Sequence, residues 1–396
     1  MTKKIIVQKF GGATLADSEK IKQVAIRIFE QSKENLIIAV VSAMGKTTNQ
    51  LIELANQVSK NPQRRELDML LSTGERVSMS LVSMALNDLG ANAISFTGSQ
   101  AGILTNDSHV NAQIIDVNSP RVKEALAQDK IVILAGFQGV SPITKEITTL
   151  GRGGSDTSAV AMAAAFQAER CEILKDVAGV YTADPKLVKT ATPLKQLNYD
   201  QLMEMTFWGA KVLHYRSVEL AKTRSVTLYI GPAENKESEG TWVQKDLNMF
   251  ESSKVLAINS HEEVLQINSK YKDYKAILEL NHLLEHNQIA FPQLLNFEVQ
   301  AHSTTLFLTG PSEILNQIKH TFKNNDYFEL NSQLLSTVTL TCTGITDPQI
   351  TVNACQILKE NNIDYSRIWQ STMSMSFLIA QENKNKTISI LHRLIK

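Results

Sequence analysis

Cysteine is scarce in this chain of 396 residues, which contains only Cys171, Cys342 and Cys355. The three are scattered and lack the close spacing of metal-ligating cysteines, which argues against structural zinc. We predict that they are small apolar side chains within protein cores. Such usage is typical of a protein from the reducing cytoplasm.

Neither an excess of charge nor a long apolar run is present. The 40 Lys and Arg residues balance the 40 Asp and Glu residues, so no global field favours nucleic acid or an anionic membrane as a partner. No run approaches the roughly 20 apolar residues that span a bilayer. Residues 1–10 also lack the apolar core and cleavage site of a signal peptide. We therefore expect a soluble cytoplasmic protein whose charge-based function is local.

Familiar catalytic motifs are missing too. The sequence has no H-E-x-x-H motif, no cysteine cluster and no evident Ser-His-Asp arrangement, which argues against hydrolysis by a triad. Gly45-Lys46-Thr47 resembles the end of a P-loop, but Val40 stands where that motif requires its first glycine. A different phosphate-binding arrangement is needed if this chain binds a nucleotide.

The most informative stretch that is present is residues 149–156 (TLGRGGSD). It precedes residues 157–168, whose apolar spacing predicts a helix with one buried face. Glycines before a helix N-terminus let the backbone approach an anion, and Arg152 suits a carboxylate or phosphate. An ordinary turn, with Ser155 as the cap and Asp156 as a first-turn acid, explains the same pattern equally well. The stretch alone leaves both interpretations open.

Strand and helix patterns alternate from residue 5 to about Gly231, which predicts an open, mainly parallel α/β sheet. Ligands of such sheets bind beyond the carboxyl ends of the strands. We expect the glycine-bearing loops after Phe10, Val41, Ala135 and Leu150 to share one rim there.

The composition changes at residues 232–240 (PAENKESEG), which indicate a loop or domain boundary. Beyond it the order βαββα occurs twice, typical of two ferredoxin-like α+β modules. We predict a catalytic domain at 1–231, a linker at 232–253, and modules at 254–330 and 331–396.

Several charged residues lie where this fold predicts a site. Lys9 ends the first strand beside Gly11 and Gly12, although taken alone it reads as a surface lysine. Glu75 lies in an otherwise apolar helix, so it either pairs with Arg76 or another base, or faces an opening. Leu71, Val77, Leu81 and Val82 of that helix are expected to face the core.

Two further segments carry candidate residues. Asp176, Tyr181 and Lys186 lie in a loop after a strand, where turn structure alone is the simpler interpretation. Lys211 is predicted to begin a helix, where a cation opposes the dipole and an anionic partner would compensate. Cations and glycine loops without an evident general base suit phosphoryl transfer to an acceptor that is already ionised, such as a carboxylate.

Six motifs occur in order along the chain: residues 9–12 (KFGG), 72–78 (STGERVS), 136–139 (GFQG), 149–156 (TLGRGGSD), 176–186 (DVAGVYTADPK) and 209–214 (GAKVLH). Together they make the sequence resemble the aspartate kinase family, over nearly the whole chain. The resemblance implies the amino-acid kinase fold followed by two ACT domains. It also implies ATP-dependent phosphorylation of the β-carboxylate of L-aspartate with Mg²⁺ present, the first step toward lysine, threonine and methionine.

The resemblance implies site roles motif by motif. Lys9 would contact the transferred phosphoryl group, and Asp156 would organise the site. The residues implied to bind aspartate are Thr48, Glu75, Arg152 and Ser155. Those implied to bind ATP are Lys9, Gly11, Gly12, Asp176, Tyr181, Lys186 and Lys211. None of these residues is implied to ligate a metal directly.

The sequence also departs from the family pattern. Ala13 and Thr14 follow KFGG where the family usually has Thr-Ser, and Lys186 replaces a frequent arginine. The ACT-like modules lack a clear effector-binding turn, so inhibition by lysine or threonine stays open, and the modules are expected to serve mainly in a homodimer. Two alternatives remain: a kinase for another acidic amino acid, and a non-catalytic amino-acid sensor.

Overall fold

The computed structural model describes residues 3–234, 240–245, 253–287, 289–323 and 325–395. Contacts divide the chain into two compact units, as far as these residues extend. Unit 1 comprises Met1–Val180, Pro193–Thr206 and Lys211–Asn248. Unit 2 comprises Tyr181–Thr192, Phe207–Ala210 and Met249–Lys396. Two short segments before residue 231 thus group with the C-terminal part, which differs from the single boundary expected from composition.

The described residues of unit 1 form twelve strands and seven α-helices. The strands are β1 (Lys4–Phe10), β2 (Asn35–Val41), β3 (Ala93–Phe96), β4 (Ile103–Thr105), β5 (Ile114–Val117), β6 (Ile131–Ala135), β7 (Gln138–Val140), β8 (Ile147–Thr149), β9 (Arg170–Lys175), β10 (Gln196–Leu197), β11 (Leu228–Pro232) and β12 (Thr241–Val243). The helices are α1 (Ser18–Ser32), α2 (Thr47–Val58), α3 (Arg64–Asp88), α4 (Pro120–Ala127), α5 (Gly154–Ala165), α6 (Tyr199–Phe207) and α7 (Tyr215–Arg224).

An eight-stranded sheet forms the centre of unit 1, in the order β10-β12-β11-β9-β1-β2-β6-β3. All neighbours in it are parallel except β11 and β12. The apolar runs of β2 and β6 are almost wholly buried, as expected for parallel strands covered on both faces. The predicted mainly parallel α/β sheet is confirmed. Because β1, β2, β6 and β9 run in the same direction, their carboxyl ends meet at one edge.

A second sheet in unit 1, in the order β5-β4-β7-β8, was not predicted. Its strands have three or four residues each, too short for a periodic apolar pattern to be recognised. Its last strand, β8, leads directly into the glycine-rich stretch. This sheet therefore helps to place residues 149–154.

Helix α3 buries only part of the set of residues that was predicted to face the core. It runs without a break through Gly74. A Cβ at Gly74 would lie 2.9 Å from Cβ of Ala43, so this glycine permits close packing rather than a break. Leu71 and Val82 are buried as predicted, whereas Val77 and Leu81 are exposed because they lie on the opposite face of the helix.

Helix α5 is buried on every side, where the sequence had predicted one buried face. Ten consecutive residues, from Gly154 to Ala163, are inaccessible or nearly so. The helix packs against β1, β2, β9 and α7, and its small alanine side chains allow this close approach. The first turn of α5 therefore lies at the carboxyl edge of the sheet, inside the protein.

In the part of unit 2 that the structure describes there are seven strands and four α-helices. The strands are β13 (Val255–Ser269), β14 (Gln293–Val299), β15 (Thr304–Thr309), β16 (Phe328–Leu330), β17 (Leu335–Cys342), β18 (Tyr365–Gln370) and β19 (Ser374–Ala380). The helices are α8 (Tyr274–His286), α9 (Ser312–Phe322), α10 (Pro348–Glu360) and α11 (Lys384–Leu391). The order βαββα occurs twice, as the sequence suggested.

The two repeats of unit 2 share the long strand β13. Its residues from Leu265 to Ser269 pair with β15, whereas those from Val255 to His261 pair with β17. One sheet in the order β14-β15-β13-β17-β19-β18 results, with β16 paired to β13. The first half of β13 thus pairs with a strand of the second repeat. The predicted modules, 254–330 and 331–396, place this half of β13 in the first module.

The segment Tyr181–Thr192 is anchored within unit 2. Its Ala183 and Val188 belong to a core cluster with residues of β13, β17 and α10. Oγ1 of Thr182 lies 3.0 Å from Nε2 of His392, and the Thr182 carbonyl accepts a hydrogen bond from the amide of Ile258 at 2.7 Å. Both contacts fix the segment to the second repeat.

Two expectations drawn from composition can be compared with the structure. Cys171 and Cys342 are buried and Cys355 is half-buried, and all three are free thiols, so the prediction for the first two is confirmed. Over the described ranges, no helix combines the length and apolar character needed to cross a bilayer.

Candidate functional site

Four glycine-bearing loops meet at the carboxyl edge of the main sheet, as predicted. The amide of Ser42 donates to the carbonyl of Phe10 at 3.1 Å, and that of Gly45 donates to Gly12 at 3.0 Å. The amide of Gly136 donates to Val41 at 3.0 Å. A further bond of 2.9 Å from the amide of Leu150 to the carbonyl of Phe137 brings in the glycine-rich stretch. The loops thus form one continuous rim.

Lys9 and Asp156 form a buried ion pair at this rim. Nζ of Lys9 lies 2.6 Å from Oδ1 of Asp156, and each side chain is only 8% exposed. Burial alone would raise the pKa of Asp156, but the charges of Lys9 and Lys175 outweigh it, so the pKa lies below its ordinary value. Asp156 also occupies the first turn of α5, where the dipole favours an anion. The Asp156 carboxylate is therefore ionised.

Glu75 is a buried acid with one oxygen unpaired. Its Oε1 accepts a hydrogen bond from the amide of Ala43 at 3.0 Å, while Oε2 has no hydrogen-bond partner among the described residues. Burial raises the pKa of Glu75 to about 7, opposed by the backbone hydrogen bonds and the charge of Lys9. Among the described residues Glu75 forms no ion pair with Arg76, and the interpretation of Glu75 as an acid that faces the site stays a prediction.

The stretch of residues 149–154, which connects β8 to α5, depends on its glycines. Gly151 and Gly153 both have φ of 72°, a left-handed conformation that other residues rarely adopt. A Cβ at Gly153 would lie 2.2 Å from Cβ of His214. Arg152 is exposed between these two glycines, so its guanidinium is free to meet a ligand. Ser155 follows in α5 and is buried against Gly136.

The loop after β1 is equally constrained. A Cβ at Gly12 would lie 2.8 Å from the carbonyl oxygen of Ala43, and one at Gly11 would lie 3.7 Å from Nζ of Lys9. The hydroxyl of Thr14 donates to the carbonyl of Gly11 at 2.7 Å, so it supports the turn. Ala13 is exposed. At Gly11 this loop therefore brings backbone without a side chain close to the Lys9 ammonium, which the Asp156 carboxylate contacts from α5.

Other predicted residues lie around the rim or elsewhere. Thr48 is the second residue of α2 and half-buried, and Asp176 is exposed directly after β9. Lys211 is exposed in a turn, and the prediction that it begins a helix is wrong, because α7 starts only at Tyr215. Tyr181 and the exposed Lys186 lie in the segment that groups with unit 2.

Two residues near the buried pair were missed by the sequence analysis. His214 caps α7, with Nδ1 accepting from the amide of Arg216 at 3.4 Å. Burial lowers its pKa to about 4, with the Arg216 charge adding to the effect and Asp156 opposing it. Burial also lowers the pKa of Lys175, while Asp156 raises it. The signals were present, since His214 ends the GAKVLH motif and Lys175 ends a strand beside Asp176.

Comparison with known proteins gives a consistent result. The model of the Amino acid kinase family matches residues 4–231. The chain is 37% identical to the aspartokinase of Bacillus sp. (strain MGA3), over 98% of this chain and 96% of that protein. It is 38% identical to the aspartokinase of Geobacillus stearothermophilus, with the same coverage.

Solved structures agree with these sequence matches. The crystal structure of E. coli aspartokinase III with aspartate and ADP superposes with a TM-score of 0.77 at 21% identity, over 98% of this chain and 99% of that one, which establishes a shared fold. The aspartate kinase from Synechocystis is 32% identical with a TM-score of 0.56, over 98% of this chain and 68% of that one. The chain belongs to the amino acid kinase family and, within it, to the aspartokinases.

Proposed function

We propose that this chain catalyses ATP-dependent phosphorylation of the β-carboxylate of L-aspartate, giving 4-phospho-L-aspartate for lysine, threonine and methionine biosynthesis. The main support for the proposal is that a cation and an unpaired acid are both buried at the same rim. Lys9 supplies a buried cation held by Asp156, and Glu75 supplies a buried carboxylate oxygen without a partner. A substrate that contains both an ammonium group and carboxylates satisfies them together.

Glu75 is the proposed partner of the substrate ammonium. A buried polar atom is stabilised by a hydrogen bond, and an ammonium group offers three donors. Arg152 is the proposed partner of the α-carboxylate, because its planar guanidinium matches a carboxylate with two parallel bonds. Thr48 and Ser155 are proposed to add hydroxyl contacts. An N-acylated substrate would offer Glu75 a single amide N–H and no positive charge, so the site favours a free amino acid.

Lys9 is the proposed catalytic cation. Attack of one anion on another is opposed by charge repulsion, and phosphoryl transfer is catalysed mainly by positioning and neutralisation. The acceptor carboxylate has an ordinary pKa of about 4 and needs no general base at neutral pH. Asp156 holds the Lys9 ammonium in place and stays ionised because its pKa lies below the ordinary range.

Backbone groups of Gly11 and Gly12 are proposed to face the ATP phosphates, since no side chain intervenes there. Asp176, Tyr181, Lys186 and Lys211 are proposed nucleotide residues on the strength of their motifs. Mg²⁺ neutralises phosphate charge when bound. It usually keeps several waters and binds through substrate phosphates and one or two carboxylates. The exposed carboxylate of Asp176 fits such a role. Within the described ranges no group of three or more metal-ligating side chains occurs.

We also propose a domain division, an assembly, an effector and a cellular location for this chain. The predicted division into a catalytic domain, linker and two ACT-like modules fits the repeated βαββα order of unit 2. A homodimer and an effector amino acid, lysine or threonine, are proposed for these modules. E. coli aspartokinase III has been solved in complex with lysine and aspartate, which supports the proposal of an effector amino acid. A cytoplasmic location is proposed on the basis of the free cysteines.

The test is a hydroxamate assay with purified protein and Mg-ATP. Aspartate is expected to give product, whereas N-acetylglutamate is expected to give none. Product from glutamate or N-acetylglutamate alone would assign a different acidic substrate. Amino-acid binding by calorimetry without any ATP turnover would instead assign a sensor. Adding lysine, threonine and methionine separately to the aspartate reaction tests for an effector.

A further inference from the structure

Residues 149–154, which we call the substrate loop, have little rigidity of their own. Three of its six residues are glycines, and Arg152 is exposed between two of them. A flexible loop would bind a carboxylate weakly, because ordering it on binding opposes affinity. Whatever restrains this loop from outside therefore affects how well Arg152 binds its ligand.

Arg216, in the first turn of α7, restrains the loop from one side. Its Nη1 donates to the carbonyl of Leu150 at 3.0 Å and to Oδ1 of Asn111 at 2.9 Å. Its Nη2 donates to the carbonyl of Ala112 at 3.0 Å. One guanidinium thus joins the substrate loop to the segment before β5. Lysine could not make this set, since it has a single nitrogen.

Asp68, in α3, restrains the same two segments from the other side. The side chain is fully buried, and its Oδ1 accepts from the hydroxyl of Thr149 at 2.5 Å. The amide of Val110 donates to both its oxygens, at 3.0 and 3.2 Å, and Nδ1 of His109 lies 2.6 Å from Oδ2. The two segments are also bonded directly, from the amide of Ala112 to the carbonyl of Thr149 at 2.9 Å.

We propose that Arg216 and Asp68 are positioning residues that hold the substrate loop so that Arg152 meets the substrate carboxylate. This inference rests on the proposed function. Neither residue touches the substrate. Both act through residues 149 and 150, which directly precede the left-handed glycine at 151. The contacts of Arg216 and Asp68 therefore affect the binding of aspartate and leave nucleotide binding unaffected.

The test is Arg216→Lys, which keeps the charge and removes the fork. We expect the KM for aspartate to rise about tenfold or more while the KM for Mg-ATP changes less than about twofold. Arg224→Lys is the matched control, because Arg224 is an exposed arginine on the same helix. It is expected to leave both KM values unchanged. Asp68→Asn is expected to raise the aspartate KM in the same way.

A double-mutant cycle with Arg152→Ala separates positioning from general loss of structure. If Arg216 acts through Arg152, then Arg216→Lys in the Arg152→Ala background changes the aspartate KM by less than about twofold. The inference would be overturned if the effects of the two substitutions on the aspartate KM multiplied, or if the KM for Mg-ATP rose equally. Either result would leave the proposed function intact. A wild-type chain that does not phosphorylate aspartate would overturn both.

Discussion

Nζ of Lys9 and Oδ1 of Asp156 lie 2.6 Å apart inside the protein, at the carboxyl ends of the strands. Two charges buried in this way depend on each other. Removing one partner leaves the other without compensation in a poorly solvated site, which is strongly unfavourable. The pair therefore links stability to the proposed chemistry, and the two contributions can be separated by mutation.

Asp156→Asn is expected to reduce both activity and stability. The Lys9 ammonium loses its counter-charge, so unfolding should become easier by about 3–5 kcal/mol. The displaced ammonium should also lower kcat by about 100-fold or more. Denaturant unfolding and steady-state kinetics measure the two effects.

The double variant Lys9→Met/Asp156→Asn is the control for this prediction. It removes the Lys9–Asp156 pair as a whole, so the Lys9 ammonium is not left buried without its partner; the variant should recover most of the lost stability and remain inactive. A single variant as stable as the wild type would contradict the proposed dependence of Lys9 on Asp156.

The KM for aspartate is expected to depend on pH through Glu75. Its pKa of about 7 means that the carboxyl is protonated below neutral pH, and a protonated acid cannot pair with an ammonium. The KM should therefore rise as pH falls from 8 to 5.5, by up to about tenfold per pH unit below 7. Glu75→Gln should show a high KM with no such slope. A flat wild-type profile would refute this assignment.

Glu75 is also expected to make stability fall as pH rises. Its pKa is raised from 4.5 to about 7 on folding, so the folded state binds more protons than the unfolded state between these values. Stability due to this group is fully present below pH 4.5 and is lost as pH approaches 7. The shift corresponds to at most about 3 kcal/mol.

Glu75→Gln removes this titration, so it should be more stable than the wild type at pH 8 and lose that advantage toward pH 4.5. Thermal or denaturant unfolding of both proteins at pH 8 and at pH 4.5 measures this difference in stability. An advantage that is the same at both would show that burial of the carboxylate is not its cause.

Much of the fold was predictable because long apolar runs have an unambiguous period. The runs of β2 and β6 and the helix pattern of α1 are of this kind. Strands of three residues, such as β4 and β8, contain too few positions for a pattern to appear. The extent of β13 was missed because its two halves serve different sheet partners, which depends on tertiary contacts.

The site was predictable only as far as sequence order reveals geometry. Strand direction placed Lys9 and the glycine loops at one edge, and this was enough to expect a rim. The burial of Asp156 was not predictable, since a first-turn acid is usually exposed and α5 is buried only because of its neighbours. The contacts of Asp68 and Arg216 join segments that are distant in sequence, and no local pattern indicates them.

Gly153→Ala is expected to impair aspartate use far more than it impairs folding. The residue has φ of 72°, and an added Cβ would lie 2.2 Å from Cβ of His214, so the substrate loop must move. We expect kcat/KM for aspartate to fall by about tenfold or more, since small displacements of positioning groups have large kinetic effects.

Gly90→Ala is the matched control: Gly90 has φ of 83° and nothing within 4 Å of an added Cβ. It should lose about 1 kcal/mol of stability through backbone strain and keep wild-type kinetics. Equal kinetics in the two variants would mean that the space at Gly153 is irrelevant to the placement of Arg152.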